Sequence, residues 1–261
     1  DVPFLEFPLL RETKMVVHGF TTREGGVSEG IFSSMNLSFT RGDEEAAVQE
    51  NFRRIAKVMH GKKEDFVCSD QTHTVNIRKV TKEDKGKGVL REKDYRDIDG
   101  LVTDEPGIIL SCFFADCVPL YFLDTKKKVI GLAHSGWRGT VNRMGREMTA
   151  FMEKEYGCRK EDMIAAVGPS ICADCYEVSE DVADAFRREF GEDVLSAGRE
   201  EGKYQLDLWR ANEKVLLDAG LTGAQISITD ICTCCNEDKL FSHRASKGKR
   251  GNLGAFLSLR E

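Results

Sequence analysis

Four apolar runs crowd one short stretch of this chain: residues 98–103, 107–114, 118–123 and 129–133. Each is too short for a substantial helix, and each is separated from the next by turn-forming or charged residues. They read as buried strands lying side by side in a central sheet. Residues 15–20, 163–167, 224–229 and 253–259 add further strand patterns. Helical periodicity flanks the cluster. Asp43 is placed to cap a helix running to His60, with Val48, Phe52, Ile55 and Met59 on one face. Residues 142–156 form a second helix ending at Gly157, and residues 179–190 a third capped by Ser179. Residues 206–219 form a fourth, with Asp207 near its start and Gly220 at its end. The charged, glycine-containing segment 79–97 reads as a solvated loop or hairpin. Strands gathered in the middle, without strict strand–helix alternation, predict an α+β layered fold with a mixed central sheet. No internal repeat divides the chain, so residues 1–261 are expected to form one domain.

Composition excludes several function classes. A formal net charge of −6 argues against a nucleic-acid partner, because phosphate backbones favour basic surfaces. No apolar run approaches the roughly 20 residues of a membrane span. Residues 1–10 lack a basic segment followed by an apolar one, and a cytoplasmic location is expected. The nine cysteines are odd in number and lie in a long chain, which favours reduced thiols, metal ligands or nucleophiles over a disulfide framework.

The chemistry concentrates at strand ends. His134 follows the run 129–133 and precedes Ser135-Gly136-Trp137-Arg138-Gly139, where the glycines allow a tight turn. Cys117, in Ala115-Asp116-Cys117, and His73, in Gln71-Thr72-His73, lie beside similar turns. Singly, each is as readily a buried structural residue. Together they suit a catalytic zinc site with an open position, or a copper site. Without a metal, Cys117 could be a nucleophile with His134 as its base. Spacing alone does not choose among these.

A wider set of motifs resembles one family. Gly25-Gly26-Val27-Ser28 with Gly30 and Asn36-Leu37, then Gln71-Thr72-His73 and Asp99-Gly100-Leu101-Val102-Thr103, resemble its opening half. Ala115-Asp116-Cys117-Val118-Pro119-Leu120, the His134-to-Gly139 segment, Gly168-Pro169-Ser170-Ile171, Tyr176-Glu177-Val178 and Phe241-Ser242-His243-Arg244 continue it in order. The family is the laccase-domain, or multicopper polyphenol oxidoreductase, family. The resemblance implies a layered α/β/β/α sandwich and a zinc-dependent enzyme of purine nucleosides. The implied activity is phosphorolysis, with adenosine deamination and methylthioadenosine cleavage beside it. The implied zinc ligands are His73, Cys117 and His134. One departure concerns the C-terminal stretch Gly248-Lys249-Arg250-Gly251-Asn252, where Asn252 stands at a position many members fill with Arg. Arg250 is the nearby candidate to replace it.

Phosphorolysis needs a phosphate subsite, which asks for backbone N–H groups and arginines. Arg23 beside the Gly25-Gly26 loop, with Ser28, is one candidate cradle; Asn36, Arg138 and Arg244 are further candidates for phosphate or substrate, each weighed against a surface or ion-pair role. Deamination also needs a proton shuttle. The chain has no His-x-Glu pattern of the known zinc deaminases, so Asp116 is the candidate, with a structural role at least as well supported. Five histidines are too few for the imidazole-rich clusters of a multicopper oxidase, which ranks copper below zinc.

The remaining cysteines include Cys172 with Cys175, and Cys232 with Cys234 and Cys235. Two such clusters could assemble a structural zinc site or a redox pair. Neither carries a knuckle turn, however, and the second is irregularly spaced, so reduced thiols are expected. Cys68, Cys112 and Cys158 read as core. The rivals to a phosphorylase are a metal-free cysteine hydrolase acting on cell-wall peptide precursors and a non-enzymatic module that sequesters a nucleotide or metal.

Overall fold

The computed structural model describes residues 2–260. Its strands are β1 (Phe4–Leu5), β2 (Val16–Thr21), β3 (Phe66–Cys68), β4 (Ile77–Lys79), β5 (Gly100–Thr103), β6 (Ile109–Phe114), β7 (Val118–Asp124), β8 (Val129–Ser135), β9 (Met163–Val167), β10 (Glu177–Ser179), β11 (Leu195–Ala197), β12 (Lys203–Leu206), β13 (Ile226–Ile228) and β14 (Leu253–Leu259). The α-helices are α1 (Pro8–Glu12), α2 (Glu45–Val58), α3 (Trp137–Val141), α4 (Met144–Tyr156), α5 (Glu180–Phe190) and α6 (Leu208–Asp218).

Strand β7 explains the layering. Val118, Leu120 and Phe122 face one apolar cluster, while Tyr121 and Leu123 face another. A strand apolar on both faces has to be covered on both. Its sheet runs β13-β9-β7-β8-β5-β4, with the β13–β9 and β5–β4 pairs parallel and the others antiparallel. The second sheet runs β1-β2-β14-β6-β3, parallel only at β6–β3. Helices α4 and α6 pack on the outer face of the first sheet through Met148 and Val215, and Phe186 of α5 joins the same apolar cluster. Helix α2 covers the second through Val48, Phe52 and Ile55. The fold is an α+β sandwich of α/β/β/α layers around a mixed sheet. A small third sheet, β10-β12-β11, lies beside α5.

Several local expectations change. The four runs do not share one sheet: β6 joins β14 and β3 in the second. Its Leu110 and Cys112 face the inter-sheet core while Ile109 faces α2, so β6 is as apolar on both sides as β7. Helix α2 starts at Glu45, and Asp43 instead accepts from Asn36 Nδ2 at 2.9 Å. The helix expected over 142–156 starts at Met144, where Arg143 takes a left-handed φ of 60°, and a short helix not expected from sequence, α3, precedes it. Ser179 sits at the N-cap of α5 without a side-chain bond to its amides, whereas Asp207 caps α6 through Arg210 N. The 79–97 segment is folded down, burying Asp84, Lys87 and Tyr95, with Lys87 Nζ 2.7 Å from Asp84 Oδ1. No helix among the described residues is long and apolar enough to cross a membrane.

Candidate active site

Strand register assembles the centre. His134 lies at the end of β8, between the starts of β7 and β5, with Pro119 and then Gly100 pairing at or next to it. The residue before β7 is Cys117 and the residue before β5 is Asp99. Two groups far apart in sequence are thereby delivered to either side of one imidazole. His73 comes from the loop between β3 and β4, in a left-handed φ of 68°. One donor atom from each of His73, Cys117 and His134 lies within 4.8 Å of the others. Cys117 Sγ is 4.0 Å from His73 Nε2.

Asp99 fixes both histidines. It is fully buried, and its Oδ1 lies 2.8 Å from His134 Nδ1. That bond leaves His134 Nε2 as the free donor atom. The same carboxylate accepts the backbone N–H groups of Thr72, His73 and Thr74 at 2.9–3.1 Å, which shapes the turn carrying His73. Burial opposes ionisation of Asp99. The His134 contact and the Thr74 and Thr72 amides outweigh it and hold the carboxyl below its ordinary range.

Cys117 and His134 polarise each other. Burial pushes the Cys117 thiol up, but the charge and hydrogen bonds of His134 and His73 bring it down to about 6. Burial likewise disfavours charged His134, yet Cys117 and Asp99 raise it to about 9. A thiolate and two imidazoles with one lone pair aimed inward form a donor set that suits a borderline-soft metal ion. Space is reserved for it. A Cβ on Gly136 would stand 2.8 Å from His73 Cδ2 and 3.1 Å from Cys117 Sγ, so only glycine clears the cluster.

The three side chains line one cleft of about 530 Å³, a size that accommodates a small molecule. Arg41 and Arg250 also line it, and neither makes an ion pair with a carboxylate among the described residues. Burial lowers Arg250 to about 10, with the charge of Arg41 acting in the same direction. Its Nε is buried and has no hydrogen-bond partner. Asn252 lines the same wall. Lys93 is also present but is paired with Asp70 at 2.6 Å.

The other candidates lie outside the cleft, each with structural partners. Arg23 donates to the carbonyls of Ser33 and Glu237 and stacks on Phe241. Ser28 Oγ accepts from Asn51 Nδ2, and Asn51 also bonds Val27, Ser34 and Asn36, so the glycine-rich loop is pinned to α2. Asn36 Oδ1 accepts from Ser38 N and Asn252 N, linking the walls that carry Arg41 and Arg250. Arg138 is exposed over Trp137. Arg244 donates to the carbonyls of Cys175 and Glu177. Both Asp116 oxygens are engaged, by Thr233 Oγ1 and by Arg244 N, each at 2.7 Å. These bonds tie Asp116 to two neighbouring loops, which is the structural role weighed for it.

Sequence reasoning gave no role to Asp99, although it opens the motif Asp99-Gly100, and did not single out Arg41. An Arg-Gly-Asp turn before a helix was the only signal for the latter.

Comparison with known proteins places the fold and the family. Residues 17–260 match the family described as multi-copper polyphenol oxidoreductase laccase. Purine nucleoside phosphorylase YlmD of Bacillus subtilis is 38% identical over 253 residues, covering 96% of this chain and 91% of its own. The crystal structure of YlmD from Geobacillus stearothermophilus superposes with a TM-score of 0.90 at 37% identity, covering 98% of this chain and 94% of that one. A hypothetical protein YfiH from Bacillus licheniformis gives the same TM-score at 36% identity, covering 94% and 93%. The chain belongs to the multi-copper polyphenol oxidoreductase laccase family.

Proposed function

We propose that this chain is a zinc-dependent purine nucleoside phosphorylase, acting on adenosine or inosine, and on methylthioadenosine, as a single cytoplasmic domain. The observation that carries the reading is one cleft with a Cys-His-His donor set and two guanidiniums free of carboxylate partners. The relatives named purine nucleoside phosphorylase support the same class. Only His73 and His134 of the five histidines reach the cluster, which supports zinc over a multicopper set. His18 is buried against Phe7, and His60 is exposed at the end of α2.

His73, Cys117 and His134 would hold the zinc. When bound, it supplies Lewis acidity, which suits both purine departure and adenosine deamination as a side activity. Arg41 and Arg250 bind phosphate as a dianion and orient one oxygen towards C1′ of the ribose. A bond forms from that oxygen to C1′ as the bond from C1′ to the purine nitrogen breaks. The bonding pair leaves with the purine, which takes up the proton that the hydrogen phosphate dianion gives up as it becomes the ribose 1-phosphate dianion. Phe113 and Phe114 line the cleft and supply apolar surface for a base. Asn36 positions both cationic walls through its bonds to residues 38 and 252.

A second reading draws on the Cys117–His134 polarisation, which also suits a nucleophile and its base. His73 has no place in such a dyad, and the reading leaves Arg41 and Arg250 unexplained. Incubation with inosine, with and without phosphate, separates the two. Hypoxanthine and ribose 1-phosphate formed only with phosphate support phosphorolysis; no purine turnover under either condition contradicts it.

A further inference from the structure

A second group of sulfurs lies apart from the cleft. Strands β9 and β13 are parallel neighbours, so the chains leaving their ends run side by side. The pairing continues beyond the strands: Thr229 N donates to Val167 O, Ser170 N to Ile231 O, and Thr233 N to Ser170 O. Each chain then carries a Cys-x-x-Cys, Cys172 to Cys175 on one and Cys232 to Cys235 on the other. Their four Sγ atoms all lie within 4.8 Å of one another.

The geometry is that of a coordination shell. Cys175 and Cys235 sulfurs are 3.4 Å apart, and Cys172 and Cys235 sulfurs 3.9 Å. A tetrahedron of thiolates around zinc at about 2.3 Å has edges of about 3.8 Å. All four cysteines are free thiols rather than disulfides. Cys232 Sγ accepts two backbone N–H groups, from Cys172 and Cys235, each at 3.3 Å. Amides aimed at a sulfur from both loops stabilise it as a thiolate and orient it as a ligand. Cys234 lies between the two ligands of the second pair but is not part of the four-sulfur set.

We propose that Cys172, Cys175, Cys232 and Cys235 form a structural tetrathiolate zinc site, separate from the His73–Cys117–His134 centre. Four protein ligands close the coordination sphere and leave no position for substrate. Binding displaces the thiol protons to solvent, with no change of oxidation state. The site clamps the two loops that hold Asp116: Ile171 N donates to Asp116 O at 3.0 Å and Thr233 Oγ1 to Asp116 Oδ1 at 2.7 Å. Asp116 directly precedes Cys117, so the clamp steadies the wall that carries one ligand of the first centre.

The test is metal analysis and zinc X-ray absorption on full-length protein purified under reducing conditions without added metal or a histidine tag. The wild-type chain is expected to carry about two zinc ions, one per donor set. His73→Ala/Cys117→Ala protein should retain about one, in an all-sulfur shell, which reads this site independently of the first. Cys175→Ser/Cys235→Ser should lose that ion and Cys234→Ser should keep both. If the double serine variant does not fold, the all-sulfur signal in His73→Ala/Cys117→Ala decides alone. Iron in place of zinc, a disulfide among the four, or loss of all zinc in His73→Ala/Cys117→Ala overturns the proposal.

Discussion

Asp99 Oδ1 lies 2.8 Å from His134 Nδ1, and the same atom accepts the backbone N–H of His73 at 3.1 Å. One buried carboxylate therefore sets the tautomer of one imidazole and the position of another. Asp99→Asn can donate to His134 Nδ1, which moves the ring proton to Nε2, the atom that has to face the metal. Zinc affinity should fall roughly ten- to a hundredfold. Competition with a chromophoric chelator measures it, and unchanged affinity would remove Asp99 from the account.

Arg41 and Arg250 should act on phosphate more than on nucleoside. Loss of a charge-assisted bond costs about 1.5–3 kcal/mol, so Arg41→Ala or Arg250→Ala should raise the KM for phosphate roughly ten- to a hundredfold. The KM for inosine should change little. Arg250→Lys should rescue poorly, since an ammonium cannot reproduce the guanidinium fork. Initial rates at varied phosphate check this.

The Cys117 thiol should stay reactive at unusually low pH in metal-stripped protein. It is brought from 9.0 down to about 6, against the upward push of burial, by His134 and His73. Alkylation by iodoacetamide should persist to about pH 6 and fade below it, because the thiolate is the nucleophile. Cys68 is pushed up to about 12 by burial and should remain silent. In His134→Gln the midpoint should move up towards the ordinary value. Peptide mass mapping across pH reads each site.

Acid should destabilise the fold through His18. Burial lowers this imidazole from 6.5 to about 4, and its Nε2 accepts from Phe7 N at 2.9 Å, which requires the neutral ring. Between those values the unfolded chain takes up a proton that the folded chain refuses, so stability falls as pH drops from 6.5 to about 4. The loss attributable to His18 is about 3 kcal/mol at most. His18→Gln keeps an acceptor and does not titrate, so its denaturant midpoint should fall less over that pH range. Parallel slopes for the two proteins would contradict the assignment.

The legible parts of the site were those carried by local pattern. Cys117 and His134 adjoin apolar runs beside turns, and His73 lies in the Gln71-Thr72-His73 motif, all visible in sequence. Asp99 acts through cross-strand register with β8, 35 residues away, which no local pattern encodes. Arg23 and Arg41 both stand near glycine, yet one is tied to two carbonyls and stacked on Phe241 while the other lines the cleft. The difference lies in which segment each packs against. A Cβ on Gly26 would meet Ser34 O at 2.0 Å, so that glycine serves close backbone packing against Ser34. Likewise β6 and β7 are equally apolar on both faces, and only pairing partners decide which sheet each joins.

The most direct test of the account is phosphate-dependent release of ribose 1-phosphate from inosine, followed as zinc is returned to chelator-stripped protein. Turnover should be absent in the stripped enzyme and rise with occupancy of the His73–Cys117–His134 set. Cys117→Ala should stay inactive at every zinc concentration. Full activity in protein shown to hold no metal at that set would contradict it.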